Sequence, residues 1–489
     1  MSAPLIATQV TPANLYLEGI DHVLDTLQQK GAVNTLIPTT HTYWYGEGLQ
    51  PGFDEESVGD LESRKRAWPD HGVDLQIPSQ KKERITWCSI PHEETEFAGT
   101  MLRHLRDPEK EYYADRDLLA ELEEPLRRRG MKIYPRVLEG FGPGLARVMP
   151  NWLKVCVEDI YGRPKPLPCM NHPDYRNYWI STIRDMFSRY ELDGLLLGFE
   201  RGGPLAPLLF HGQVPHCFCS YCQTKAERLG IHAGRAREGM KQLYEFYQRW
   251  SPEVLDPEGP QAPLDGFFLS VMKIIMRYPE ILSWHRLDVE SKKGLEKVIY
   301  GTVKALKPEA EVGWFVPHYP LWHDVINRAD LDYGELSEFS DFLRPCIYYC
   351  VTGSRLKRSI DQSWKKWLGR EFSEAGLRDA IFSIMGWNHR LEPDYQGLEK
   401  NELFGESWAR HEVARCKKGV KPGVNVYPAV GMEFGPEVDR ATTDHELLGR
   451  VVRACLEGGA DGLVVGRYYH DMSLEVLETA GRVIREHWR

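Results

Sequence analysis

The chain has 489 residues, 42% of them hydrophobic and 27% charged, with a formal net charge of -10; it can bury a large core, and an unstructured chain is excluded. The acidic excess leaves no basic face to neutralise a phosphate backbone, which excludes nucleic acid as a partner. No stretch approaches the ~20 apolar residues of a membrane span, and Met1–Val10 lacks the basic-then-apolar order of a secretory leader, so the expectation is a cytoplasmic protein with no membrane partner.

The first aliphatic run, Leu5–Val10, is followed by an amphipathic segment with Leu17, Ile20, Val23, Leu24 and Leu27 on one face and Gly31 as its stop signal. Val33–Pro38 reads as the next strand. A helix over Leu118–Gly130 leads to strand Met131–Leu138, and a helix over Tyr175–Tyr190 leads to strand Leu192–Phe199. Leu295–Leu306 precedes strand Glu311–Pro317, with strand Phe342–Tyr349 after it. Strand Val424–Val430, helix Leu447–Gly459, strand Gly462–Val465 and a last amphipathic segment, Leu474–Trp488, complete the order.

The repeated step of helix, glycine and strand is that of a β/α unit. Eight strands suit a closed ring, whereas a doubly wound open sheet more often stops at about five to seven. The expected fold is α/β, a (β/α)8 TIM barrel, with one catalytic domain over residues 1–489. Three connections, about 45–110, 201–290 and 351–420, are too long for plain loops and follow strand C-termini, the face on which such barrels place their active sites.

Polar residues just past each strand therefore form the short list: Thr39, Thr40 and His41, then Glu139, Glu200 and Arg201, then His318, Tyr348, Tyr349 and Glu433, and last Arg467, Tyr468, His470 and Asp471. Asp193-Gly-Leu-Leu-Leu-Gly-Phe-Glu200 is an apolar run ending in an acid, so a rigid strand delivers that carboxylate to the rim. Glu433 follows the seventh strand. Carboxylates on strands four and seven face one another across a barrel mouth, the arrangement with which one acid protonates a leaving oxygen while the other attacks or activates water. Glu139 could replace Glu433 as the partner of Glu200, and Arg201 or Arg136 could instead tie Glu200 into a structural ion pair.

Trp314, Trp322, Trp387, Trp408, Tyr348 and Tyr349 lie near late strand ends and offer flat faces for sugar stacking, although core packing suits any one of them as well. His41, His318, Arg467, Tyr468 and His470 are further candidates for holding substrate. Ten cysteines are too sparse for a disulfide scaffold. Cys217, Cys219 and Cys222 have the close spacing that closes around zinc, with Cys169, Cys156 or His216 available as a fourth ligand, and their place in an insertion favours a structural role.

Cys169-Met-Asn-His-Pro-Asp-Tyr-Arg, the Asp193-Gly strand and Cys217-Phe-Cys-Ser-Tyr-Cys222 resemble, in the same order, the middle of the bacterial hypothetical glycosyl hydrolase-like barrel proteins. Phe339-Ser-Asp-Phe-Leu-Arg-Pro-Cys-Ile-Tyr-Tyr349 and Gly459-Ala-Asp-Gly-Leu-Val-Val-Gly-Arg-Tyr-Tyr-His-Asp-Met472 are similar to their sixth- and eighth-strand segments, so the resemblance spans roughly residues 5–485. The cysteine motif also resembles the zinc-binding cysteines of family 42 β-galactosidases; Cys217, Cys219 and Cys222 carry over and the fourth ligand does not. The chain departs from these relatives in Gly198-Phe-Glu200, where they often have Asp, and from the large clan of retaining barrel glycosidases in having Phe199 where that clan has Asn.

The expected function is a glycoside hydrolase with Glu200 as general acid/base and Glu433 as second carboxylate, a retaining outcome and a carbohydrate or glycoside substrate. No cofactor is required beyond a structural zinc, and association of copies stays open. The alternatives are a metal-dependent sugar isomerase, epimerase or lyase using His318, Glu139 and Glu200, and a non-catalytic carbohydrate-binding barrel.

Overall fold

A computed structural model describes residues 4–45, 84–139, 143–250, 265–318, 324–369, 372–433 and 443–488. Its strands in chain order are β1 (Leu5–Val10), β2 (Thr35–Tyr45), β3 (Ile85–Cys88), β4 (Lys132–Ile133), β5 (Arg136–Leu138), β6 (Cys156–Glu158), β7 (Pro164–Pro168), β8 (Gly194–Gly198), β9 (Glu311–Val316), β10 (Phe342–Ile347), β11 (Asn425–Val426), β12 (Ala429–Val430) and β13 (Gly462–Val465). Eight parallel staves close into a barrel: β1, β2, β4 with β5, β8, β9, β10, β11 with β12, and β13, which pairs back onto β1. The fold is a (β/α)8 TIM barrel.

Two staves are split for one reason. Pro135 and Pro428 have no N–H to give the ladder, so the third and seventh staves each break into two short pieces around them. Their carbonyls still accept, from Leu196 N–H at 3.0 Å and from Val464 N–H at 2.9 Å, so pairing continues across the break.

Strand alternation sorts the side chains into two layers. Leu5, Ala7, Ile37, Leu196, Phe315, Phe342, Ala429 and Val464 fill the barrel interior. Leu36, Val137, Leu195, Leu197, Val312, Trp314, Leu343 and Val465 face outward and pack with the surrounding helices. Each such aliphatic side chain contributes about 1.5–3 kcal/mol on burial. Glycine makes room inside: a Cβ on Gly198 would lie 2.6 Å from the Phe315 ring.

The ring also closes through the helix that leads into β2, Ile20–Gly31, and the last helix, Leu474–His487. They touch so closely that a Cβ on Gly481 would lie 1.9 Å from the Lys30 carbonyl oxygen.

Insertion 201–290 contributes helices Leu205–His211, Ser220–Arg228, Ala233–Arg249 and Phe267–Arg277, and runs into the 27-residue helix Glu280–Leu306, whose second half is the segment expected to cover the barrel. These helices share a separate apolar cluster with Val157 of the antiparallel β6–β7 ribbon, and Phe218 stacks on Trp284 at 4.5 Å. Of the first insertion, residues 46–83 lie outside the described residues, and the segment beyond them supplies β3, antiparallel to β2. Among the described residues no helix is long and apolar enough to cross a membrane.

Candidate functional site

The inward rows of side chains end, at the C-terminal rim, in polar groups. On β8 the row Gly194, Leu196, Gly198 continues to Glu200, whose residue is exposed. Its field reaches Glu139, Arg344, Cys346 and Tyr468, which places the carboxylate over the mouth. No ion pair ties it down among the described residues, and Arg201 pairs elsewhere.

Beneath it lie two buried arginines. Arg136 of β5 stands with its guanidinium 5.0 Å from the Phe315 ring and donates to the Tyr468 hydroxyl. Arg344 of β10 stands 4.4 Å from the same ring, and donates to Cys346 Sγ at 3.1 Å and to the Tyr348 hydroxyl at 3.2 Å. Burial opposes the charge on Arg344, and Tyr348, Cys346 and the Glu200 carboxylate favour it, so the guanidinium stays charged. Burial pushes the Tyr348 and Tyr468 hydroxyls up, and both remain protonated at neutral pH.

The rim continues with His318, which accepts from Arg355 Nη1 at 2.6 Å and lies 5.7 Å from the Tyr348 ring. Arg467 binds Asp471 through two nitrogens, at 2.7 and 3.2 Å, and His470 stacks on Tyr468 while its Nδ1 faces Asn14 Oδ1 at 3.0 Å. The structure thus brings Glu200, His318, Tyr348, Arg467, Tyr468 and His470 to one end of the barrel.

Glu139 stands one stave from Glu200 but is only 4% exposed, with Arg201 Nε 3.1 Å from its Oε2. Burial pushes its carboxyl up to about 7, against the opposing pull of Arg201 and Lys292. Beside this pair a cavity of about 70 Å³, lined by Arg201, Asp288, Lys292 and Asn327, has room for a few waters rather than a saccharide.

Several expected positions fall elsewhere. Glu433 is buried, and its two oxygens accept from Thr443 Oγ1 at 2.5 Å and from the Ser473 N–H at 2.6 Å, so both are engaged at the start of the last helix. Trp314 points outward by alternation and donates to the Phe339 carbonyl; Trp387 donates to Glu412 amid Phe382, Phe404 and Trp408. Both are core aromatics, not sugar platforms. Tyr349 also faces the outer layer. Trp322 lies outside the described residues.

His41 is turned away by a bulge. Thr39 pairs with Arg136 but His41 pairs with Val137, so β2 advances two residues against one on β5. One extra residue flips the following side chain to the other face of the sheet. His41 accordingly lies fully buried in the outer layer, edge-on to Trp87 and Trp179.

Sequence reasoning passed over Arg344 and ranked Arg136 only as a partner for Glu200. The available signal was alternation: each is a charged residue at an inward position of an otherwise apolar strand.

The four cysteines do converge. Cys169, Cys217, Cys219 and Cys222 are buried with their sulfurs within 4.8 Å of one another, and Cys169 Sγ stands 3.5 Å from both Cys219 and Cys222. Zn–S bonds of about 2.3 Å hold tetrahedral sulfurs roughly 3.8 Å apart, so the residues fit zinc. The Asn171 N–H and Nδ2 groups point at Cys169 and Cys222 Sγ, at 3.4 and 3.3 Å, as donors that steady thiolates. Cys156 and His216, the other candidate ligands, are not in the cluster.

The chain matches no family model, and no curated protein matches it. Among solved structures it is similar to the β-galactosidase from Rahnella sp. R3, with 11% identity, a TM-score of 0.43, and 99% of this chain and 56% of that chain covered. For the β-galactosidase from the psychrophilic Marinomonas ef1 the figures are 9%, 0.49, 99% and 59%. For the PgaB glycoside hydrolase domain from Bordetella bronchiseptica they are 12%, 0.43, 95% and 94%. The chain therefore spans less than two thirds of the two galactosidases. At these identities and TM-scores the likeness transfers neither residues nor reaction.

Proposed function

We propose that this protein hydrolyses glycosidic bonds at the barrel mouth, with Glu200 as the carboxylate that meets the glycosidic oxygen. The observation that carries the proposal is the exposed Glu200 side chain at the end of an inward row, above buried Arg136, Arg344, Tyr348 and Tyr468. A carboxylate on a rigid strand can be held accurately against a bond, and fixed donors around it can orient hydroxyls and stabilise developing charge.

Glu139 acts as a positioning residue for Arg201 and for the field at Glu200, because its own carboxyl is shut from solvent. With both Glu433 oxygens engaged at the last helix, the second carboxylate is left unassigned; a retaining outcome, which needs such a group as nucleophile, is tested by NMR of the product anomer.

A panel of aryl glycosides differing in sugar and anomer tests the assignment. Wild type is expected to turn over at least one of them, and Glu200→Gln to lose about 10²–10⁴-fold in kcat while still binding the sugar. Full activity in Glu200→Gln overturns it. The metal-dependent alternative is disfavoured at His318, whose Nε2 already faces the Arg355 guanidinium, a neighbour that repels a divalent ion. Turnover abolished by a chelator and restored by a divalent ion would reverse that preference. We further propose that the four cysteines hold a structural zinc joining the insertion to the start of the Pro173–Arg189 helix.

A further inference from the structure

A second group of metal-ligating side chains lies away from both the mouth and the cysteine cluster. The bulge that turns His41 outward sets it opposite Cys88 in the β2–β3 hairpin. Four residues on, His92 folds back to the same point. Cys88 Sγ lies 3.2 Å from His41 Nε2 and 3.5 Å from His92 Nε2, and the two ring nitrogens lie 3.0 Å apart.

Zn–N bonds of about 2.0–2.1 Å and Zn–S bonds of about 2.3 Å hold tetrahedral ligand atoms roughly 3.3–3.7 Å from one another, so the three atoms stand close to ligand spacing. Hydrogen bonding explains the arrangement less well. Two facing imidazole nitrogens share a single proton, and the thiol already has the Ile90 carbonyl, at 3.2 Å, as its acceptor.

His104 stands behind this group, its ring 5.4 Å from that of His92, and its ring nitrogens do not join the cluster of three. Glu111 takes His104 Nε2 at 2.5 Å and accepts from the backbone N–H groups of Trp87 and Cys88, at 3.0 and 2.8 Å, so one carboxylate braces the strand that carries Cys88.

We infer that His41, Cys88 and His92 form a separate structural site for a zinc-like divalent ion. Its place ties the β2–β3 hairpin to the Pro173–Arg189 helix, because Trp179 and Tyr178 of that helix pack against His41 and His92. With His41 and Cys88 buried and His92 half-buried, on the outer side of the barrel wall, the site stabilises the fold and does not meet substrate.

Metal analysis of the full chain refolded with zinc tests it. Cys88→Ser and His92→Gln are each expected to lose one equivalent per chain relative to wild type, and Cys219→Ser to lose a different one. Unchanged metal content in folded Cys88→Ser and His92→Gln overturns the inference. Should those variants fail to fold, ¹¹³Cd NMR of cadmium-loaded wild type decides: a resonance from a mixed sulfur–nitrogen site supports it, and an all-sulfur resonance alone, or none, overturns it.

Discussion

At the scale of single residues, two glutamates that look alike in sequence have separate tasks. Glu200 ends an inward row and meets solvent, whereas both oxygens of Glu433 are held at helix starts. Glu433→Ala is therefore expected to leave turnover close to wild type while lowering stability by about 1–2 kcal/mol, because the Ser473 N–H loses its acceptor; thermal unfolding beside a rate assay checks both. Glu139 carries a pH signature. Its carboxyl is raised in the fold from 4.5 to about 7, so between those values the folded chain keeps a proton that the unfolded chain has released. Its contribution is fully present below pH 4.5 and is lost as pH rises through about 7, by up to about 3 kcal/mol. Melting curves across that window should be flatter for Glu139→Gln than for wild type. An equal slope in both proteins would show that Glu139 does not hold the proton.

At the scale of elements, the insertion over 201–290 is held by its own apolar cluster with the Phe218 and Trp284 stack, by Phe210 and Phe267 against Trp367, and by three of the four converging sulfurs. Cys219→Ser, or treatment of wild type with a strong chelator, is expected to lower stability by about 2 kcal/mol or more and to open this segment to protease before the barrel. Cleavage sites mapped by mass spectrometry would locate the opening; cuts first appearing between barrel strands would contradict it. The main strands were legible because apolar runs bounded by glycine alternate with 3.6-period helices, and β1 and β13 match their expected limits. The hairpin strand β3 was not, since its four residues, Ile85–Cys88, sit in a long connection and have too little length for a periodic signal. The split staves around Pro135 and Pro428 were written in the sequence as proline, and were overlooked as interruptions.

For the molecule as a whole, the ring depends on its two ends meeting. β1 pairs with β13, and helices Ile20–Gly31 and Leu474–His487 approach so closely at Gly481 that a methyl group would overlap the Lys30 carbonyl. Gly481→Ala should force these helices apart and lower global stability by about 1–3 kcal/mol, although alanine raises local helix propensity. Calorimetry can separate the outcomes: a higher melting temperature would mean that propensity dominates and that the closure is looser than described.

Strand order, the eightfold count and the grouping of Cys217, Cys219 and Cys222 could be read from the chain alone, because periodicity and residue spacing are local properties that survive without coordinates, whereas Cys169 was singled out from Cys156 and His216 only by the tertiary structure. Which face a residue occupies at the rim could not. The bulge between Thr39 and His41 reverses one side chain, alternation buries Trp314, and helix starts capture Glu433. Each outcome is set by pairing partners far away in sequence, and a shift of one residue in register exchanges inside for outside.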